Sequence, residues 1–457
     1  MQMNSDNSSF ASKAGAIFAV AGSAVGLGNV WRFPTEVGAN GGAAFIIIYV
    51  LFMLFFGVPV MISEIAIGRH GQKNVSHSFY TMSGGKRIWS YMGLLPVLAG
   101  VLVLSYYSVV AGWTLEYVVQ AGVNNLADKT PAEYAADFNR FTADPVRPIV
   151  WLGLILAFTC AVVALGVKKG IEKASKIMMP VLFVCIAILV VSSFSLPGAE
   201  KGLKFFFYPD FSKVTGATAL SAMGQTFFSL SVGICCMCTY GCYFRKDVNL
   251  VNDSLTVASI DTLVAMMSGL IVFPAVYSVQ GLSPDAGPSL VFITLPNVFS
   301  QVFAGTPVLS YAFSLFFYVL LVLAALTSTI SMLEMSVAIF IRKFGMSRPL
   351  ACVVVTLLCL VFGSACSLSF GAWRDVTVFG MTIFELFDYL VAKFLMPIGA
   401  MLICIFAGWV VDKKVLKDEI TNGGTIHQPL FNVYRLLVRY VAPVCIFLIF
   451  INELGLL

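Results

Sequence analysis

"AGSAVGLGNVWRFP" occupies residues 21–34. It sits in an apolar run long enough to cross a membrane, yet it carries three glycines, an asparagine, an arginine and a proline. Each of these weakens a helix or is costly to place in lipid. Irregular backbone at membrane depth is tolerated only where protein buries it or where it lines a polar cavity. The stretch therefore reads as a helix interrupted at a site.

The rest of the chain supplies the membrane. Of 457 residues, 59% are hydrophobic and only 11% are charged, and the mean hydropathy is +0.91. Soluble domains carry about 25% charged residues, so this chain has too little polar surface to face water. Its apolar runs are continuous rather than alternating, which implies a helical bundle and excludes a β-barrel. The N-terminal stretch has no clear small-residue cleavage site, so it does not read as a secretory signal and Met1 is expected to be retained. "CCMC" at 235–238 has no second pair or nearby histidine to complete a metal site, and His70, His77 and His427 read as loop residues.

Apolar runs between charged or Pro/Gly-rich breaks predict eleven spans. They lie near 11–37, 42–70, 88–122, 148–166, 174–196, 216–243, 250–282, 307–344, 348–367, 379–411 and 431–454. With the N-terminus in the cytoplasm, nineteen of the 28 lysines and arginines fall on the inside and seven on the outside. This places the C-terminus outside. The net charge of +5 is thus a topology signal and not a nucleic-acid footprint. The first and sixth spans are both interrupted, at "GSAVGLGN" (22–29) and "SLSVG" (229–233). They hold matching places in two five-span halves, 11–196 and 216–411, followed by an eleventh helix in 431–457. An odd number of spans per half makes the halves inverted repeats, and paired broken helices point to a transport site between them.

Ionisable groups inside spans are functional by default. Here they are Arg32, Glu64, Asp261, Glu334, Glu385, Asp388 and Lys393. Glu385 and Asp388 share a helix face, and Asp388 is expected to close over Arg32. Lys393 is expected to snorkel to an interface. In "ALTSTISM" of the eighth span, Ala324, Ser328 and Met332 form one stripe, flanked by Thr327 and Ser331. Helical Ser and Thr ordinarily bond back to their own helix. Facing a broken helix, two adjacent hydroxyls and the freed carbonyls instead make a neutral, hard-oxygen site suited to sodium. Freed amides at the same break bind a carboxylate. One broken helix can then hold a cation and a carboxylate together, which suggests a cation-coupled carrier of small zwitterions.

The sequence resembles the neurotransmitter:sodium symporter family, in particular its eleven-span bacterial amino-acid transporters. The signatures are "SAVGLGNVWRFP" (23–34), "NGGAAF" (40–45), "GVPVMISEIAIGR" (57–69), "GVKKGIEKASKIMMP" (166–180), "TYGCY" (239–243), "ITLPNVF" (293–299) and "LTS" (326–328), spread over essentially the whole chain. The resemblance implies an all-α membrane protein of one transporter domain (1–457) with the leucine-transporter-like 5+5 inverted repeat and broken helices 1 and 6. It implies a first sodium ion held by Ala24, Asn29, Ser229 and Asp261, and a second held by Gly22, Val25, Ala324, Thr327 and Ser328. The amino-acid site would comprise Ser23, Ala24, Leu27, Gly28, Val103, Tyr107, Phe228, Ser229, Ser231, Ile234, Ser328 and Met332. Arg32, Asp388 and Gln225, with Tyr107 and Phe228 as the lid, would form the outer gate. Of the adjacent Tyr106 and Tyr107, only one should face the pocket, because they point about 100° apart.

The pocket is apolar with few hydroxyls, which suits a hydrophobic or aromatic L-amino acid. Asp261 stands where the family's bacterial leucine transporter has asparagine. Its carboxylate is expected to replace chloride, giving chloride-independent uptake, or to couple proton counter-movement. The family's inner-gate salt bridge is absent, its places reading Asn7 and Arg342, so Phe10 and Tyr243 are expected to close that side. Cys235 is expected to narrow the pocket. No twelfth span follows, so a monomer or weak dimer in the bacterial inner membrane is implied. A sensor of the same fold that binds without transport would not need both ion sites. An intramembrane enzyme would need a nucleophile–base pair, a metal cluster or an acid dyad beyond Glu385 and Asp388.

Overall fold

The computed structural model describes residues 9–127, 129–279, 290–302 and 305–453, so Asn7 and the ends of two predicted spans (280–282 and 454) lie outside the described residues. The chain is a bundle of helices with one two-residue-per-strand hairpin, in which Thr377 pairs with Thr382 and Val378 with Met381. Nine helices among the described residues are long and apolar enough to cross a membrane: Ala43–Gly71, Arg87–Gly122, Arg147–Ala164, Val167–Ser193, Leu250–Tyr277, Pro307–Phe344, Arg348–Leu368, Ile383–Val410 and Phe431–Asn452. A tenth is a broken pair, Lys13–Ala24 and Gly28–Ala39, bent by 55°. The remaining predicted span is present as Gly216–Ser229 and Cys236–Gly241, two pieces each too short to cross alone.

The helix starts follow local chemistry. Ser12 caps Lys13–Ala24 by accepting from the Gly15 amide, and Thr215 caps Gly216–Ser229 by accepting from the Thr218 amide. Pro34 begins the helix Phe33–Ala39 rather than ending one, since a first-turn proline loses no hydrogen bond. Both expected interruptions exist. The first is narrower than predicted: helix runs to Ala24 and resumes as a π-turn at Gly28. The second spans 230–235, slightly later than predicted.

The longest helix, Pro307–Phe344, packs along Leu94–Gly122 and beside Arg147–Ala164 and Val167–Ser193. The broken first helix lies between this group and Leu250–Tyr277. The two short pieces 216–229 and 236–241 pack on the Ala43–Gly71 helix, so both breaks meet at mid-bundle. His70 and His77 lie in helices Val58–Gly71 and Val75–Met82, not in loops, because the charged residues there are helix ends rather than connections.

Candidate functional site

The first break leaves Val25 O and the amides of Gly26 and Leu27 without helical partners, and side chains take their place. Val25 O accepts hydrogen bonds from Thr327 Oγ1 (3.3 Å) and Ser328 Oγ (3.2 Å). Thr327 also donates to its own helix, at Ala324 O (2.9 Å) and Leu323 O (3.2 Å). The back-bonding habit of helical threonine therefore persists, and it gathers Ala324 O into the same oxygen cluster. Gly22 is packed against Thr327, where an added Cβ would lie 3.2 Å from the threonine Cβ. Of the expected second cation set, Val25, Ala324, Thr327 and Ser328 gather neutral oxygens in one place, and Gly22 packs against Thr327.

On the other side of the break, Asn29 Nδ2 donates to Asp261 Oδ1 (2.7 Å) and Asp261 O (3.1 Å) and lies 3.4 Å from Ser229 Oγ, while Asn29 Oδ1 accepts from the Gly26 amide (3.0 Å). Ser229 Oγ donates to Asp261 Oδ2 (2.6 Å). Asn29, Ser229 and Asp261 are brought together as predicted. Ala24 ends the half-helix directly before this cluster. The sequence reading missed Tyr49, whose hydroxyl donates to Asp261 Oδ2 (3.4 Å) from a fully buried position. The available signal was a lone hydroxyl inside "FIIIYVLF".

Between the two clusters the Leu27 amide donates to Tyr107 Oη (3.1 Å). Gly26 is required here, since a Cβ would stand 2.6 Å from Ser328 Oγ and 3.0 Å from Tyr107 Oη. Above them opens a cavity of about 970 Å³ lined by Leu27, Gly28, Tyr107 and Phe228 at its floor and by Arg32, Asn139, Arg374 and Glu385 further out. Phe228 lies over Gly28, and the Arg32 guanidinium stacks on the Phe228 ring at 4.2 Å. The remaining predicted substrate residues, Ser23, Ala24, Val103, Ser229, Ser231, Ile234, Ser328 and Met332, lie outside this cavity's lining. Ser231 Oγ donates to Ser23 O (3.1 Å), joining the two breaks there.

Gln225 is fully buried, and its side-chain amide has no hydrogen-bond partner among the described residues. Arg32 makes an ion pair with Glu36 at 3.8 Å, one helical turn on. Several expectations are corrected. Asp388 faces Tyr106, and Tyr106 and Tyr107 both line the cavity because it is deep enough to meet two helix faces. Glu385 is not a membrane-buried acid. It is exposed and serves as the third residue of a capping box with Thr382. Lys393 lines the cavity, 5.3 Å from the Tyr389 ring. Cys236, not Cys235, reaches the first break, with Sγ 3.0 Å from Ser23 Oγ. A left-handed backbone at Cys235 (φ 60°) turns the chain between them.

The opposite end of the bundle is shut. Phe10 is buried against Tyr240, Tyr243 and Phe244, and its amide donates to Tyr243 O (3.1 Å). This is the predicted Phe10–Tyr243 closure. Unpredicted is the chain beneath it, in which Tyr243 Oη donates to Glu334 Oε1 (2.5 Å) and Glu334 Oε2 pairs with Arg348. In the second break, Glu64 accepts from the Gly233 amide (2.6 Å) and the Cys238 amide (3.2 Å).

Two interrupted helices around neutral oxygens and a carboxylate, beneath a cavity open at one end only, define a membrane carrier. The profile of the sodium:neurotransmitter symporter family matches residues 7–138 and 144–456, and the chain belongs to that family. Its members are symporters, not enzymes. The chain is 38% identical over 448 residues to the uncharacterized sodium-dependent transporter YhdH of Bacillus subtilis, covering 98% of each. It is 28% identical over 401 residues to the sodium-dependent serotonin transporter of Drosophila melanogaster, covering 77% of this chain and 62% of that one. The crystal structure of MhsT in complex with L-phenylalanine matches with a TM-score of 0.88 at 38% identity, covering 97% of this chain and 99% of MhsT.

Proposed function

We propose that this protein imports hydrophobic or aromatic L-amino acids together with sodium, by alternating access and without chloride. Two ions accompany each substrate, one at Gly22, Val25, Ala324, Thr327 and Ser328 and one at Ala24, Asn29, Ser229 and Asp261. The substrate carboxylate takes the amides of Leu27 and Gly28 and the Tyr107 hydroxyl, and Phe228 closes above it under Arg32. The chain crosses the inner membrane eleven times, with the N-terminus in the cytoplasm.

The observation that carries this reading is the meeting of Val25 O with the Thr327 and Ser328 hydroxyls one turn from the Leu27 amide and Tyr107. It puts a cation site and a carboxylate site on one stretch of backbone, so each ligand stabilises the conformation the other needs. An apolar substrate side chain is supported by Val110, Trp113, Phe227 and Phe228 in the cavity lining and by the L-phenylalanine bound to MhsT. Asp261 supplies the negative charge that would otherwise fall to chloride. The test is competition of labelled amino acids for purified protein in sodium against potassium buffer, with chloride exchanged for gluconate. Binding of phenylalanine or leucine only in sodium, unchanged by gluconate, is expected. No binding of any hydrophobic amino acid in sodium refutes the substrate class, and loss in gluconate refutes chloride independence.

A further inference from the structure

The helix Ile383–Val410 ends beside the start of the last helix, on the face that the lysine and arginine distribution makes cytoplasmic. The two backbones touch there: a Cβ on Gly408 would lie 2.8 Å from Arg439 Cα, and Trp409 Nε1 donates to Arg439 O (3.0 Å). Arg439 stacks on the Trp409 ring at 4.1 Å and on the Tyr440 ring at 5.3 Å. Arg435 lies four residues earlier, toward the cytoplasm.

These two half-buried arginines differ from three that pair with carboxylates. Arg69 is held by Glu419, Val248 and Asn422, Arg147 by Glu116, and Arg348 by Glu334. Arg435 Nη1 and Arg439 Nε are sealed from water with no hydrogen-bond partner among the described residues. No ion pair among those residues involves either side chain. Both side chains are half-buried, and each guanidinium carries a charge that nothing in the described chain neutralises, so an anion from outside would offset it.

We propose that Arg435 and Arg439 bind the phosphate of an anionic phospholipid of the inner leaflet. A guanidinium fork matches phosphate oxygens, and stacking on Trp409 fixes its plane while leaving its edge free. Trp409 and Tyr440 are about half exposed, as aromatic residues at headgroup level are. From Tyr440 the exposed Val444, Phe447 and Leu448 continue along one stripe, a track for an acyl chain. Basic pockets between helices on the cytoplasmic side are where anionic headgroups bind. The site rests on the proposed orientation but not on the transport reading, and its test reads lipid alone.

The full-length protein is placed in phosphatidylcholine nanodiscs containing a small, increasing fraction of brominated phosphatidylglycerol or brominated phosphatidylcholine. Quenching of Trp409 is isolated by comparison with Trp409→Phe. Half-maximal quenching is expected at a lower fraction of phosphatidylglycerol than of phosphatidylcholine, with about fivefold of that preference lost for each of Arg435→Gln and Arg439→Gln. Equal curves for the two lipids in the unmutated protein overturn the proposal, whether or not the variants fold. So does an equal loss in Lys413→Gln/Lys414→Gln, which reports only diffuse surface potential. Displacement of the brominated lipid by millimolar inorganic phosphate overturns the lipid as occupant and assigns the site to free phosphate.

Discussion

The two broken helices solve the same problem in different ways. In the first, the chain skips only a few residues, and its loose backbone groups are met by neutral side chains: Thr327 and Ser328 on Val25 O, Tyr107 on the Leu27 amide, Asn29 on the Gly26 amide. In the second, 230–235 takes positive φ at Ser231, Gly233 and Cys235, and a carboxylate, Glu64, holds the amides of Gly233 and Cys238. A neutral hydroxyl can swing its O–H away from a backbone carbonyl and present its lone pairs to an arriving cation, or its O–H to a carboxylate, at small cost. A carboxylate bonded to two amides in a buried site cannot be displaced so easily. The first break is therefore built to exchange partners and the second to keep them.

The largest effect that tests this contrast is at Glu64. Glu64→Ala would leave two buried amides unpaired, costing about 2–6 kcal/mol. Loss of folded protein on fluorescence-detected size exclusion is expected, with Glu64→Gln, which keeps one acceptor oxygen, recovering part of it. If Glu64→Ala folds and transports normally, the second break is not a fixed element.

Changes at the first break should spare folding and strike ligands. Thr327→Ala/Ser328→Ala removes two oxygens from the Val25 cluster and should weaken apparent sodium affinity by about 100-fold, with the monodisperse peak unchanged. Sodium-driven uptake that survives the double change refutes the second ion site. Gly26→Ala is expected to do less, about 10- to 100-fold in substrate affinity. Its Cβ must displace Ser328 Oγ and Tyr107 Oη, an overpacking cost of about 1–3 kcal/mol. Equilibrium binding in saturating sodium separates this from an ion effect.

Legibility in the sequence divides along the same line. Both breaks, the helical bundle and the clustering of Asn29, Ser229 and Asp261 were legible, because glycines, in-membrane acids and hydroxyls stand out against apolar runs. The family motifs added which of those residues meet. Side-chain choice among several possible partners was not legible. Arg32 takes Glu36 and the Phe228 ring, partners its own helix and the neighbouring break supply, and Cys236 rather than Cys235 faces Ser23, because one left-handed residue rotates the helix after it. Tyr49 was invisible because nothing in its own helix marks which neighbour its hydroxyl meets. Lys393 reads as an interface residue from position alone, whereas a cavity deep enough to reach it decides its surroundings.

The smallest and sharpest test lies where the breaks touch. Ser231 holds a left-handed backbone (φ 52°) and donates to Ser23 O, so it spends conformational energy to make one link between the two helices. Ser231→Gly removes the strain, worth about 1–2 kcal/mol, together with the hydrogen bond, worth about 1 kcal/mol; thermal stability should change little. Ser231→Ala keeps the strain and loses the bond, so it should be less stable than Ser231→Gly by about 1 kcal/mol or more. If instead the two variants melt alike, backbone geometry at 231 carries no energy, and the second break is as adaptable as the first. If Ser231→Gly is stable but binds substrate less tightly, the hydroxyl acts on the first break rather than on its own, and the exchangeable and fixed helices are coupled through Ser23.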